Sequence, residues 1–97
     1  MPYIKPSRRE ELEAYTEADI EIYTPGELNY LVTCLMLDYM FHHGFSYDTL
    51  NAIRGALENA QSEFYRRVVV PYEREKCGEN GDVYPFPEGS EFQIELL

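Results

Sequence analysis

The chain predicts a mainly α fold, a small bundle of three helices with an extended C-terminal arm or edge strand, completed by association with further copies. Three observations lead there: two helix-start signatures of the capping-box type, apolar residues recurring every three to four positions over two long stretches, and a proline- and glycine-containing segment near the end that no helix tolerates. Ninety-seven residues hold one core and no second. A chain this short buries only about two-thirds of the surface that it exposes when unfolded, and self-association relieves that limit. The expected organisation is one helical domain over 1–84, including an N-terminal arm, and a tail over 85–97.

The first helix is expected over about 8–18, because Ser7 stands three residues before Glu10, the spacing at which a hydroxyl and a carboxylate satisfy each other's backbone N–H groups. The second helix, 25–43, has the cleaner start. Thr24 caps it, Pro25 takes the first helical position, and Glu27 closes the box. Leu28, Leu31, Val32, Leu35 and Tyr39 form one stripe, while Cys34, Met36, Leu37, Met40 and Phe41 extend the apolar surface around it. A helix apolar nearly all round is buried on both sides. His42 and His43 suit the negative end of its dipole, and Gly44 supplies the residue after its end.

The third helix, about 47–77, begins near Ser46 or Asp48 and repeats Leu50, Ile53, Leu57, Ala60, Phe64 and Val68 at helical spacing. Arg54 with Glu58, and Glu63 with Arg67, have the i,i+4 spacing of ion pairs worth about 0.2–0.5 kcal/mol each. Pro71 has no N–H for the carbonyl of Arg67, which predicts either a kink near Val68–Val70 or a new helix over about 71–77, ended by Gly78. Gly78-Glu79-Asn80-Gly81 then reads as a turn. Tyr84-Pro85-Phe86-Pro87 excludes helix, and Glu91–Leu96 alternates like an edge strand or a docked arm.

The net charge of −10 argues against extended nucleic acid and anionic membranes as partners, since both need a cationic face. No apolar run approaches the ~20 residues of a membrane span, and the first residues lack the apolar core of a secretory signal. A cytoplasmic protein is expected. The charge is unevenly placed: +3 over 1–9, −9 over 10–53, +1 over 54–76 and −5 over 77–97. All eight bases therefore fall in two stretches, which a fold can gather into a cationic pocket or leave to neutralise the acidic block.

Motifs for chemistry are sparse. Cys34, Asp38 and His42 stand four apart on the second helix, but no HExxH and no second ligand pair accompany them, so no metal site is expected. There is no GxSxG, and Cys34 lies on an apolar helix where thiols are inert packing. Cys34 and Cys77 lack CxxC spacing and read as free thiols. No glycine-rich phosphate loop opens a helix. An enzyme is not expected, and no cofactor is implied. What stands out is tyrosine with arginine: nine tyrosines and no tryptophan. Tyr3, Lys5, Arg8 and Arg9 lie on the N-terminal arm, and Tyr65, Arg66, Arg67 and Tyr72 lie on the third helix. Guanidinium forks suit phosphate and phenol rings suit a base, so these eight are the candidate ligand-binding residues. The plain alternative is that the tyrosines cover a small core and the arginines make surface ion pairs.

The stretches Met1-Pro2-Tyr3-Ile4-Lys5-Pro6-Ser7-Arg8-Arg9, Pro25-Gly26-Glu27-Leu28-Asn29-Tyr30, Glu63-Phe64-Tyr65-Arg66-Arg67-Val68-Val69-Val70-Pro71-Tyr72-Glu73 and Glu79-Asn80-Gly81-Asp82-Val83-Tyr84 resemble a family of small uncharacterised bacteriophage and prophage proteins. The resemblance covers about residues 1–84. It implies a phage origin and action in the host cytoplasm, and it carries over no functional residue. Small phage proteins without catalytic motifs often inhibit host defence, and two physical routes fit. In the first, a homo-oligomer sequesters a cyclic nucleotide or a related small anionic signal through its arginines and tyrosines. In the second, the acidic block imitates nucleic acid and occupies a host defence or regulatory protein. A structural or adaptor protein is the third reading.

Overall fold

A computed structural model describes residues 2–89. Four α-helices follow one another: α1 (Pro6–Leu12), α2 (Pro25–His43), α3 (Tyr47–Phe64) and α4 (Val70–Asn80). A 3-10 turn, Glu13–Tyr15, extends α1, and a π-helical turn, Tyr65–Val69, joins α3 to α4. Among the described residues there is no strand. The edge strand expected over Glu91–Leu96 lies outside the described residues. The chain divides into two units, Met1–Glu63 and Phe64–Leu97.

In the first unit, α1 starts earlier and ends sooner than its capping box suggests. Pro6 takes the first turn, Lys5 stands at the N-cap without a side-chain cap, and the Lys5 carbonyl accepts from the N–H groups of Arg8 (3.0 Å) and Arg9 (3.1 Å). Proline at N1 costs no hydrogen bond and has the helical φ already set, so it outcompetes Ser7 as the start. The far end tightens into the 3-10 turn, where Thr16 Oγ1 donates to the Glu13 carbonyl at 2.9 Å.

The second helix has the expected bounds and the expected cap. Glu27 N–H donates to Thr24 Oγ1 (3.1 Å), and the Glu27 carboxylate accepts from the Thr24 hydroxyl (3.0 Å) and from the Tyr23 N–H (3.2 Å). Gly44 follows at φ 91°, a left-handed value that disfavours a side chain, and its N–H closes on the Met40 carbonyl at 2.8 Å. Ser46 is the cap of α3: its Oγ accepts from the Thr49 N–H at 3.2 Å and donates to Thr49 Oγ1 at 3.1 Å.

Packing in this unit is sparse. Val32, Met36 and Met40 share one side of α2 and are half-buried, as are Ile53 and Leu57 on α3, where Thr49 is the one buried residue among those described. No Cα atom of α2 comes within 8 Å of one in α3, whereas helices packed on one another have axes 8–10 Å apart. Among the described residues no apolar side chain is buried.

In the second unit, the break expected near Pro71 is a π turn over Tyr65–Val69, with a new helix, α4, from Val70. The π turn precedes it, with the Val70 N–H bonded to the Tyr65 carbonyl five residues back, so that Pro71 falls in the first turn of α4. There its fixed φ suits the start of a helical segment. The helix then runs past Gly78, correcting the expected stop: Gly78, Glu79 and Asn80 are helical, and Gly81 at φ 88° ends it, its N–H on the Cys77 carbonyl at 2.8 Å. Gly78 lies in open space, so nothing at that point forces a turn.

Candidate ligand-binding site

A long-range bond ties the N-terminal arm to its unit: Tyr3 Oη donates to Glu63 Oε2 at 2.7 Å, near the end of α3. The arm also folds on itself, with the Ile4 N–H on the Pro2 carbonyl (2.9 Å) and Arg9 Nε on the Ile4 carbonyl (2.8 Å). Arg9 is thus committed through one of its donors and makes no ion pair among the described residues. Arg8 pairs with Glu11 one turn on, both more than half exposed, a contact worth at most about 1 kcal/mol. Lys5 makes no ion pair among the described residues. Tyr3, Lys5, Arg8 and Arg9 are all exposed.

In the second unit Tyr65, Arg66 and Arg67 occupy the π turn and Tyr72 lies on α4, all exposed. Lys76 Nζ stands 5.6 Å from the centre of the Tyr72 ring, a cation–π contact. Arg67 has no carboxylate partner among the described residues, so the expected Glu63–Arg67 pair does not form, and neither does Arg54–Glu58. Glu63 takes the Tyr3 hydroxyl instead.

A cleft of about 630 Å³ opens in this unit where residues 81–88 return along α4. Asp82 turns the chain by accepting the Tyr84 N–H at 2.9 Å, and Arg74 meets Glu88 at 3.4 Å across fourteen residues. Tyr65 and Tyr84 supply rings to the lining, but Glu73, Asp82 and Glu88 outnumber Arg74 and Lys76 there. The cleft is therefore net acidic and unsuited to an anion. Of the eight candidates only Tyr65 lines it. Sequence reasoning missed this cleft, although Gly81-Asp82 as a turn and Arg74 with Glu88 as opposite charges were the available signals.

On α2, His42 Nδ1 lies 3.0 Å from the Asp38 carbonyl, and His43 stacks on Tyr39 with ring centres 4.1 Å apart. The Tyr30 hydroxyl is held above its ordinary value of 10.0, first by its hydrogen bond with Cys34 and then by the charge on that sulfur. Cys34 and Cys77 are both free and exposed. Among the described residues, no group of three or more metal-binding side chains stands together, and no helix is long and apolar enough to cross a membrane.

The geometry thus offers two exposed sets of cations and tyrosines, one in each unit, and an acidic cleft. No curated protein and no solved structure matches the chain. A family model does, over residues 1–83, nearly the span of the resemblance noted from the motifs, and the chain belongs to that family, described as a domain of unknown function, DUF6899.

Proposed function

We propose that the chain is a phage-encoded, non-catalytic binding protein of the host cytoplasm, acting in counter-defence, whose homo-oligomer sequesters a small anionic nucleotide signal. The observation that carries the reading is the state of the cations: Lys5, Arg9 and Arg67 have no carboxylate partner among the described residues. An acidic protein that leaves such groups open has donors for a phosphate. Tyr3, Tyr65 and Tyr72 accompany them as exposed rings able to stack a base.

Thermal unfolding with a panel of cyclic dinucleotides and ADP-ribose-type signals tests it. One member should raise Tm, and Arg67→Ala and Lys5→Ala should abolish the rise; a flat response across the panel refutes sequestration. One observation favours the acidic mimic as second reading: Glu10, Glu11, Glu13, Glu17, Asp19 and Glu21 are all exposed. A mimic competes with duplex DNA for a basic host protein in a salt-sensitive manner, and lack of competition at low salt removes that reading.

A further inference from the structure

We propose that α2 is the self-association surface of this protein, its stripe of Leu28, Leu31, Leu35 and Tyr39 laid antiparallel against the same stripe of a second copy. The inference rests on the homo-oligomer of the proposed function and not on its ligand.

The stripe is on one side of the helix. At about 100° per residue its four side chains fall within a sector of roughly 80°, next to the side where Val32, Met36 and Met40 are already half-covered. They remain exposed at 54%, 43%, 55% and 43% in chain order. Leu37 and Phe41, at 44% and 75%, flank the opposite side. At about 150–250 Å² for a large side chain, the four of the stripe leave on the order of 400 Å² of apolar surface on one side of the helix, before any rim is counted. A standard interface takes about 800 Å² from each partner, so the stripe supplies about half of it, and the half-covered Val32, Met36 and Met40 beside it with the polar rim supply the rest. Among the described residues nothing covers the stripe, since no apolar side chain there is buried. Folding and association are then one event, as in obligate homodimers, whose interfaces resemble a core cut in half.

Charge selects the face and the direction. Residues 10–53 carry −9 and no base, which repels a second copy over most of the first unit. Between Glu27 and Asp48, α2 contributes Asp38 alone, so here a copy approaches without stacking like charges. An antiparallel pair opposes the two helix dipoles favourably and brings Glu27 of the first turn toward the end that carries His42 and His43. A parallel pair would set Asp38 beside Asp38.

Light scattering on the full chain at tens of micromolar should give a dimer. Leu31→Glu with Leu35→Glu should weaken it by at least about 100-fold, the effect of losing two buried leucines from an interface. In a Cys34→Ser, Cys77→Ser background, Leu35→Cys near the middle of the stripe should be joined into a covalent dimer by a short bismaleimide, and Gln61→Cys on α3 should not. If the double Glu variant fails to fold, the crosslink decides. A folded monomer for the unmodified chain overturns this inference and the homo-oligomer together. A dimer that neither crosslinks at position 35 nor yields to the Glu pair overturns the interface and leaves the homo-oligomer standing.

Discussion

Replacing Tyr3 by Phe removes one oxygen and, with it, the bond that ties the N-terminal arm to Glu63 sixty residues away. A hydrogen bond to a charged acceptor is worth about 1.5–3 kcal/mol when shielded, but Tyr3 is 54% exposed, so solvent competition brings the expected loss to about 1 kcal/mol. The cleanest assay is a double-mutant cycle of Tyr3→Phe and Glu63→Gln in urea, at fixed protein concentration because any association shifts the midpoint. A coupling of about 0.5–1 kcal/mol is expected. Native-state hydrogen exchange should localise the effect, with the Ile4 and Arg9 amides losing protection while the Met40–Gly44 turn of α2 keeps its own. A coupling below about 0.3 kcal/mol, the usual error of additivity, would mean that the arm is held by other contacts and that Lys5, Arg8 and Arg9 are not positioned by this bond.

Three further outcomes follow from local geometry. Thr24→Ala deletes the acceptor of the Glu27 N–H and should destabilise by about 1 kcal/mol, lowering Tm by roughly 4–8 °C in a chain of this size; Ser at the same position should restore most of it. With Pro71→Ala an N–H returns, the π turn loses its cause, and the Val70 N–H should move from the Tyr65 to the Arg66 carbonyl, which couplings across the hydrogen bond detect by NMR. Cys34→Ala removes both the bond and the charge that raise Tyr30, so the midpoint of that tyrosine, followed by its ring carbon signal, should fall toward 10.0; an unmoved midpoint discounts the contact.

Legibility in the sequence tracked the range of the interaction. Thr24, Pro25 and Glu27 announce α2, and Gly44 ends it, because caps and C-terminal glycines close hydrogen bonds within a few residues. The same locality misled at Ser7, where Pro6 was the better start, and at Gly78, which helical neighbours simply carried through. Periodicity marked apolar stripes correctly but says nothing of what covers them. The stripes of α2 and α3 invite a bundle, and within the chain they bury no apolar side chain among the described residues.

The candidate site divides in the same way. Composition and charge mapping identified which cations and tyrosines to watch. Which arginine is occupied was decided by tertiary structure: Tyr3 reaching Glu63 leaves Arg67 without the partner that its spacing promised, and Arg74 meets Glu88 only because residues 81–88 return along α4. The bounds and cap of α2 and the charge distribution are thus properties of the sequence alone, since each depends on residues within a turn or two of one another. The tethered arm, the acidic cleft and the uncovered face of α2 belong to the tertiary structure, because each depends on which distant surface, if any, wins the competition with water.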